Sequence, residues 1–219
     1  MPAWSFHIKL ATDISNVLNL NEEEENLFIL SNVIPDIKSG YLIPMKDTVE
    51  SRFSHYYIYE NELCLPDLEK YEKVYWNKDD IVSTGIYCHL LLDYYLNGML
   101  KNDYFIYNEE NIITGMKTVN GVFNGTKEDC IRFKHKNFNI IANSLGIKNK
   151  FTFPKKDITI KTDAGNYTIT PKDIEATEKW IFDNYKDQIN KFPQNELLTE
   201  EELNDFFEDS LDFVLKHIC

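Results

Sequence analysis

The run Gly85-Ile86-Tyr87-Cys88-His89-Leu90-Leu91-Leu92-Asp93-Tyr94-Tyr95 carries a histidine and an aspartate four residues apart inside a strongly apolar stretch. A helix places residues at that separation on one face. Val82, Ile86, His89, Asp93, Leu96 and Leu100 recur at spacings of three and four, so the pattern predicts a helix whose two polar side chains lie on its core-facing stripe. A buried carboxylate without a partner is costly enough that it must be paired or neutralised. A metal cation is one of the few partners that suits an imidazole and a carboxylate together, so the fold must bring a partner to that helix face.

Helical signals dominate the rest of the chain. Trp4, His7, Ala11, Ile14, Val17 and Leu18 keep helical spacing from about Trp4 to Leu20, and Asn21 before a glutamate run opens a second helix ending near Val33. Pro35 is expected to stop it, leaving Asp36 in the following loop. Pro66-Asp67 reads as a helix start, and Asp79 or Asp80 can cap the central helix. Further helices are expected over about Lys127 to Leu145, over Lys172 to Phe192, and from Thr199 to the C-terminus, where Thr199 and Glu202 form a capping-box signature. The β pattern that stands out is Asp157 to Thr170, alternating in period two about Asp163-Ala164-Gly165. The expected fold class is mainly α: a multi-helix single domain over residues 1–219, with one small β-hairpin near 157–170.

The net charge of −13 argues against binding a nucleic-acid duplex, which needs clustered lysines and arginines. It leaves room for a phosphate-bearing substrate, because bound divalent cations invert the field inside a cleft. Four well-separated cysteines without a C-x-x-C pair predict reduced thiols and a cytoplasmic location. The first residues lack a basic leader and an apolar core, and no later stretch approaches a transmembrane span.

Among the five histidines, His7 shares the apolar stripe of the first helix, as His89 does on its own. His55 follows Arg52-Phe53-Ser54 in a segment with weak regular structure, suited to presenting a ligand from a loop. Asp36, His55, His89 and Asp93 would make a four-coordinate nitrogen and oxygen site; His7, with a bridging Asp93 and the chain's N-terminus, would make part of a second.

The order His7, Asn32-x-x-Pro35-Asp36, Ser54-His55 and His89-x-x-x-Asp93 resembles the zinc-dependent phospholipase C family, whose all-helical fold is shared with single-strand-specific zinc nucleases. The resemblance covers roughly the first hundred residues. It implies that His7, Asp36, His55, His89 and Asp93 are metal ligands, that Asp93 bridges two ions, and that Asp36 also serves as the catalytic general base. It further implies a hydrolase of phosphoester bonds, phospholipase C-like or phosphodiesterase, that uses metal-activated water on a small phosphoester or phospholipid head group. Family members begin with a metal-binding tryptophan, whereas Trp4 here is internal. They also carry a third metal site, for which His135 and an acidic residue such as Glu109 are the candidates, so one or two zinc ions, or another divalent transition metal, are expected.

The chain contains no adjacent His-Asp pair, His-Glu-x-x-His, Gly-x-Ser-x-Gly or phosphate-binding glycine-rich loop. Cys88 and His89 are helical neighbours about 100° apart and cannot act on one atom. Tyrosines between Tyr56 and Tyr107 are candidates to line a pocket or fill the core. Two alternatives stay open: a non-catalytic metal-binding or regulatory protein that retains the fold, and a protein whose histidines are structural.

Overall fold

Capping explains where most helices begin. In the computed structural model, which describes residues 4–44, 47–60, 63–189 and 191–219, α1 (Trp4–Val17) is followed by α2 (Glu22–Ile37), whose N-cap Asn21 accepts from Glu23 and Glu24 N–H groups while Glu24 returns a bond to Asn21. Thr126, Thr170 and Thr199 form the same reciprocal box at the starts of α6 (Lys127–Ala142), α7 (Pro171–Tyr185) and α8 (Glu200–Ile218). Asp67 caps α4 (Leu68–Val74), and it is Asp80 rather than Asp79 that caps α5 (Ile81–Met99).

Two helix ends differ from the sequence expectation. α2 runs through Pro35, so Asp36 lies in its last turn and not in a loop. Proline withholds its N–H and crowds the carbonyl four residues back, so continuation must be supported elsewhere. The turn is retained because Val33, Ile34 and Ile37 are buried and the Ser39 N–H and hydroxyl both close onto the Asp36 carbonyl, at 3.2 and 2.7 Å. α7 stops at Tyr185, well short of Phe192. There the chain is drawn sideways: Gln188 exchanges two hydrogen bonds with Ile147, and the Ile189 N–H reaches the Asn143 carbonyl at 2.8 Å.

The mainly α class holds, with three small antiparallel sheets instead of one hairpin among the described residues. The expected hairpin is β6 (Ile158–Thr162) with β7 (Gly165–Ile169). The others are β1 (Tyr57–Glu60) with β2 (Leu63–Pro66), and a sheet of β3 (Phe105–Tyr107), β4 (Ile113–Thr118) and β5 (Gly121–Asn124). These strands are three to six residues long, too short for period-two alternation to stand out.

α5 is the axis of the structure, every residue from Ser83 to Asp93 being buried. It packs on α2, α8 and β2, and α1 packs on α2 and α8. α5 and α2 cross at Gly85, where an added Cβ would lie 2.5 Å from Ser31 Cβ and 2.9 Å from the Phe28 carbonyl oxygen. Glycine is needed for that close approach. Among the described residues, buried apolar residues from every α-helix except the four-residue α3 (Ser51–Ser54) join one contiguous core. Among the described residues no helix is long and apolar enough to cross a membrane.

Candidate metal centre

Helices α1, α2 and α5 each direct one or two polar side chains to a common buried point, and the turn after α3 (Ser51–Ser54) adds another. His7, His55, His89 and Asp93 are 0% exposed and Asp36 is 3% exposed. Ligand atoms of His7, Asp36 and His89 lie within 4.8 Å of one another, as do those of His55, His89 and Asp93. His89 is thus common to both groups. Asp93 contacts all three imidazoles: Oδ1 is 3.6 Å from His7 Nε2, and Oδ2 is 3.6 Å from His89 Nε2 and 3.9 Å from His55 Nε2. The fifth member, Asp36, places Oδ1 3.2 Å from His55 Nε2.

His55 is presented by a sharp reversal and not by an irregular loop. Its N–H closes onto the Ser51 carbonyl at 2.8 Å, and Tyr56 then adopts a left-handed conformation with φ 52° before β1 begins. A tyrosine there is strained. The strain is held in place by the Tyr56 hydroxyl, which donates to the Lys161 carbonyl at 2.6 Å.

Outer partners set the ring orientations. His89 Nδ1 lies 2.7 Å from the Asn32 carbonyl oxygen, which can only accept, so Nδ1 carries the hydrogen and Nε2 turns a lone pair towards Asp93. His55 Nδ1 is engaged by Ser54 Oγ at 2.8 Å. Trp4 Nε1 donates to Asp36 Oδ2 at 3.0 Å, and the Tyr57 hydroxyl donates to Asp93 Oδ2 at 3.2 Å.

Burial lowers the His7 pKa to about 3, with His89 reinforcing the effect, and burial likewise lowers that of His89. Both rings are neutral at pH 7, and they stack with centroids 3.9 Å apart and planes 9° from parallel. Burial alone would raise the Asp36 carboxyl, but the hydrogen bond from His55 opposes burial, and the group lies below the ordinary carboxylate range. Tyr57 is pushed well above the ordinary tyrosine value by burial and by Asp93, so it remains a donor.

The remaining atoms are unsatisfied. Among the described residues, His7 Nδ1 and Nε2, His89 Nε2 and Asp93 Oδ1 are buried without a hydrogen-bond partner. Lone pairs on His89 Nε2 and Asp93 Oδ2 that face each other across 3.6 Å repel unless a cation lies between them. Zinc with ligands at about 2.0–2.2 Å in tetrahedral geometry separates those ligands by about 3.3–3.5 Å. The observed nitrogen–oxygen separations of 3.2–3.9 Å bracket that span, so the donor set fits a zinc-like ion.

A cavity of about 900 Å³ reaches the cluster at Asp36, the one of the five that lines it, and its walls also include Trp4, Tyr57, Lys134, Phe138 and Trp180. The third-site candidates do not join the cluster: Glu109 is exposed near the β3–β4 turn, and His135 is an exposed residue lining the cavity. The N-terminal amino group considered as an extra ligand belongs to residues 1–3, outside those described. Sequence reasoning treated Trp4 as core and took Tyr57 as one tyrosine among many, and it passed over Lys134. Lys134 was detectable, because it falls on the apolar stripe of α6 between Cys130, Phe133, Asn137 and Phe138, the signal that singled out His89. Comparison with protein-family models, curated proteins and solved structures gives no match for this chain.

Proposed function

We propose that the chain is a zinc-dependent hydrolase of phosphoester bonds with a fold of the phospholipase C and nuclease type, acting in the cytoplasm. His7, Asp36, His55, His89 and Asp93 hold the metal. The observation that carries this reading is the convergence of unsatisfied buried imidazole and carboxylate atoms, beside a cavity that Asp36, of the five, also lines.

Bound at this cluster, zinc would supply Lewis acidity, making water a competent nucleophile at neutral pH and neutralising phosphoryl charge. Asp36 borders the cavity and is kept ionised, so it can accept a proton from the attacking water. Trp4 fixes its orientation by donating to Oδ2, which leaves Oδ1 on the side of His55. Tyr57, held protonated, orients Asp93 and closes one side of the site. The apolar walls exclude competing water.

Elemental analysis of untagged protein, paired with hydrolysis of an aryl phosphodiester before and after chelation, tests the reading. Stoichiometric zinc and chelator-sensitive hydrolysis are expected. Zinc without hydrolysis favours a metal-binding or regulatory protein, an alternative supported by the exclusion of His135 and Glu109 from the cluster. No zinc overturns the metal centre itself.

A further inference from the structure

Lys134 is 5% exposed on the inner face of α6, yet it lines the same cavity as Asp36 and Tyr57. Burial depresses its pKa, while the charge of Asp93 acts in the opposite direction. Lys38, which is also buried, has the Asp173 carboxylate at 2.8 Å. Among the described residues no carboxylate stands within ion-pair distance of Lys134. A buried ammonium without an anion carries a desolvation cost that an anionic ligand relieves.

The other cavity walls sharpen what that anion is. Trp4, Tyr57, Phe105, Phe138 and Trp180 are aromatic, and Lys134 is the one buried lysine among the described lining residues. A lysine ammonium acts as a compact point charge, suited to a single oxygen and not to a forked pair. One buried charge beside one cluster suits one phosphoryl group with a flat or apolar substituent, Lys127 on the same lining being only half-buried.

We propose that Lys134 binds a non-bridging phosphoryl oxygen of the substrate, and that the substrate is a monophosphoryl ester whose remaining group packs on the aromatic walls. The inference rests on the phosphoester reading above. Lys134 holds the phosphoryl group on the wall of the cavity it shares with Asp36, so charge on the substrate is met by the protein as well as by the metal.

Calorimetric titration with inorganic phosphate, at fixed ionic strength, compares zinc-loaded wild type, Lys134→Met and Lys134→Arg, with zinc content measured on the same samples beforehand. Methionine retains much of the lysine stem's volume and favours burial, so the wall stays packed. Phosphate affinity is expected to fall about 10- to 100-fold in Lys134→Met, the scale of a lost charge-assisted hydrogen bond, and to fall less in Lys134→Arg, which keeps the charge but not its point geometry, with equal zinc in all three. Lys134→Gln carries the same expectation as Lys134→Met and replaces it if that variant does not fold. Zinc-loaded wild type that ignores phosphate, or a Lys134→Met protein that binds it as tightly as wild type, overturns the role of Lys134 while leaving the metal centre intact. Zinc-free wild type instead overturns the reading beneath it, and is recognised before any phosphate is added.

Discussion

At the end of α2, Asp36 and Lys38 are both buried, two residues apart, and their surroundings differ in kind. Lys38 closes an internal account: its Nζ lies 2.8 Å from Asp173 Oδ2, which also accepts from the Thr170 N–H at 2.8 Å and hydroxyl at 2.9 Å. That network ties the end of α2 to the start of α7, and among the described residues none of its side-chain atoms is buried without a partner. Asp36 belongs to a cluster in which four atoms of His7, His89 and Asp93 find no partner among the described residues. A satisfied buried network holds a fold together, whereas one whose unpaired atoms converge is shaped for something the chain does not contain.

The sharpest test of that contrast is metal uptake. His89→Ala and Asp93→Asn are expected to abolish stoichiometric zinc binding in elemental analysis of untagged protein, and metal-free Asp93→Asn to unfold in urea no more easily than metal-free wild type. A variant that keeps its zinc breaks the comparison at once. Asp173→Asn, by contrast, strands the Lys38 ammonium and is expected to cost about 3–5 kcal/mol in urea denaturation, whether or not zinc is present. A cost near zero there would place the two networks in the same class.

Smaller effects refine it. Ser54→Ala removes the partner of His55 Nδ1 and is expected to weaken zinc binding about 10- to 100-fold in chelator competition, with little change in metal-free stability. The Asp173 carboxyl sits below its ordinary pKa: burial opposes ionisation, but Lys38 and Thr170 overcome it. Its stabilisation is therefore complete above the unfolded-state value of about 3.9 and is lost as pH falls towards the lowered folded value, because the unfolded chain binds the proton first. Circular dichroism from pH 5 downwards is expected to show a slope of up to about 1.4 kcal/mol per pH unit from this group, absent in Asp173→Asn.

The helices of the site were legible because a 3.6-residue period exposes any polar residue that interrupts an apolar stripe. That logic picks out His7, His89 and Asp93, and it applies equally to Lys134. Asp36 and His55 came from short motifs, and their settings differed from expectation: Asp36 is helical because Ser39 completes the turn, and His55 is fixed by the left-handed Tyr56. Neither device has a periodic signature. Trp4 donating to Asp36 spans 32 residues, and Tyr57 donating to Asp93 spans 36. Such pairings depend on how helices cross, which local sequence does not encode. The short strands and the diversion of the chain after Tyr185 were lost for the same reason, since their partners lie far along the sequence or are set by single side chains.

The crossing at Gly85 reaches beyond packing. Because nothing larger than hydrogen fits against Ser31 and Phe28, α2 approaches closely enough for the Asn32 carbonyl to seize His89 one turn further on. A single added methyl there would act as a spacer, freeing the imidazole to spin while leaving every would-be ligand chemically intact. Any ion held at the proposed centre would then be selected by interhelical calibre, open to tuning from a position that never touches it.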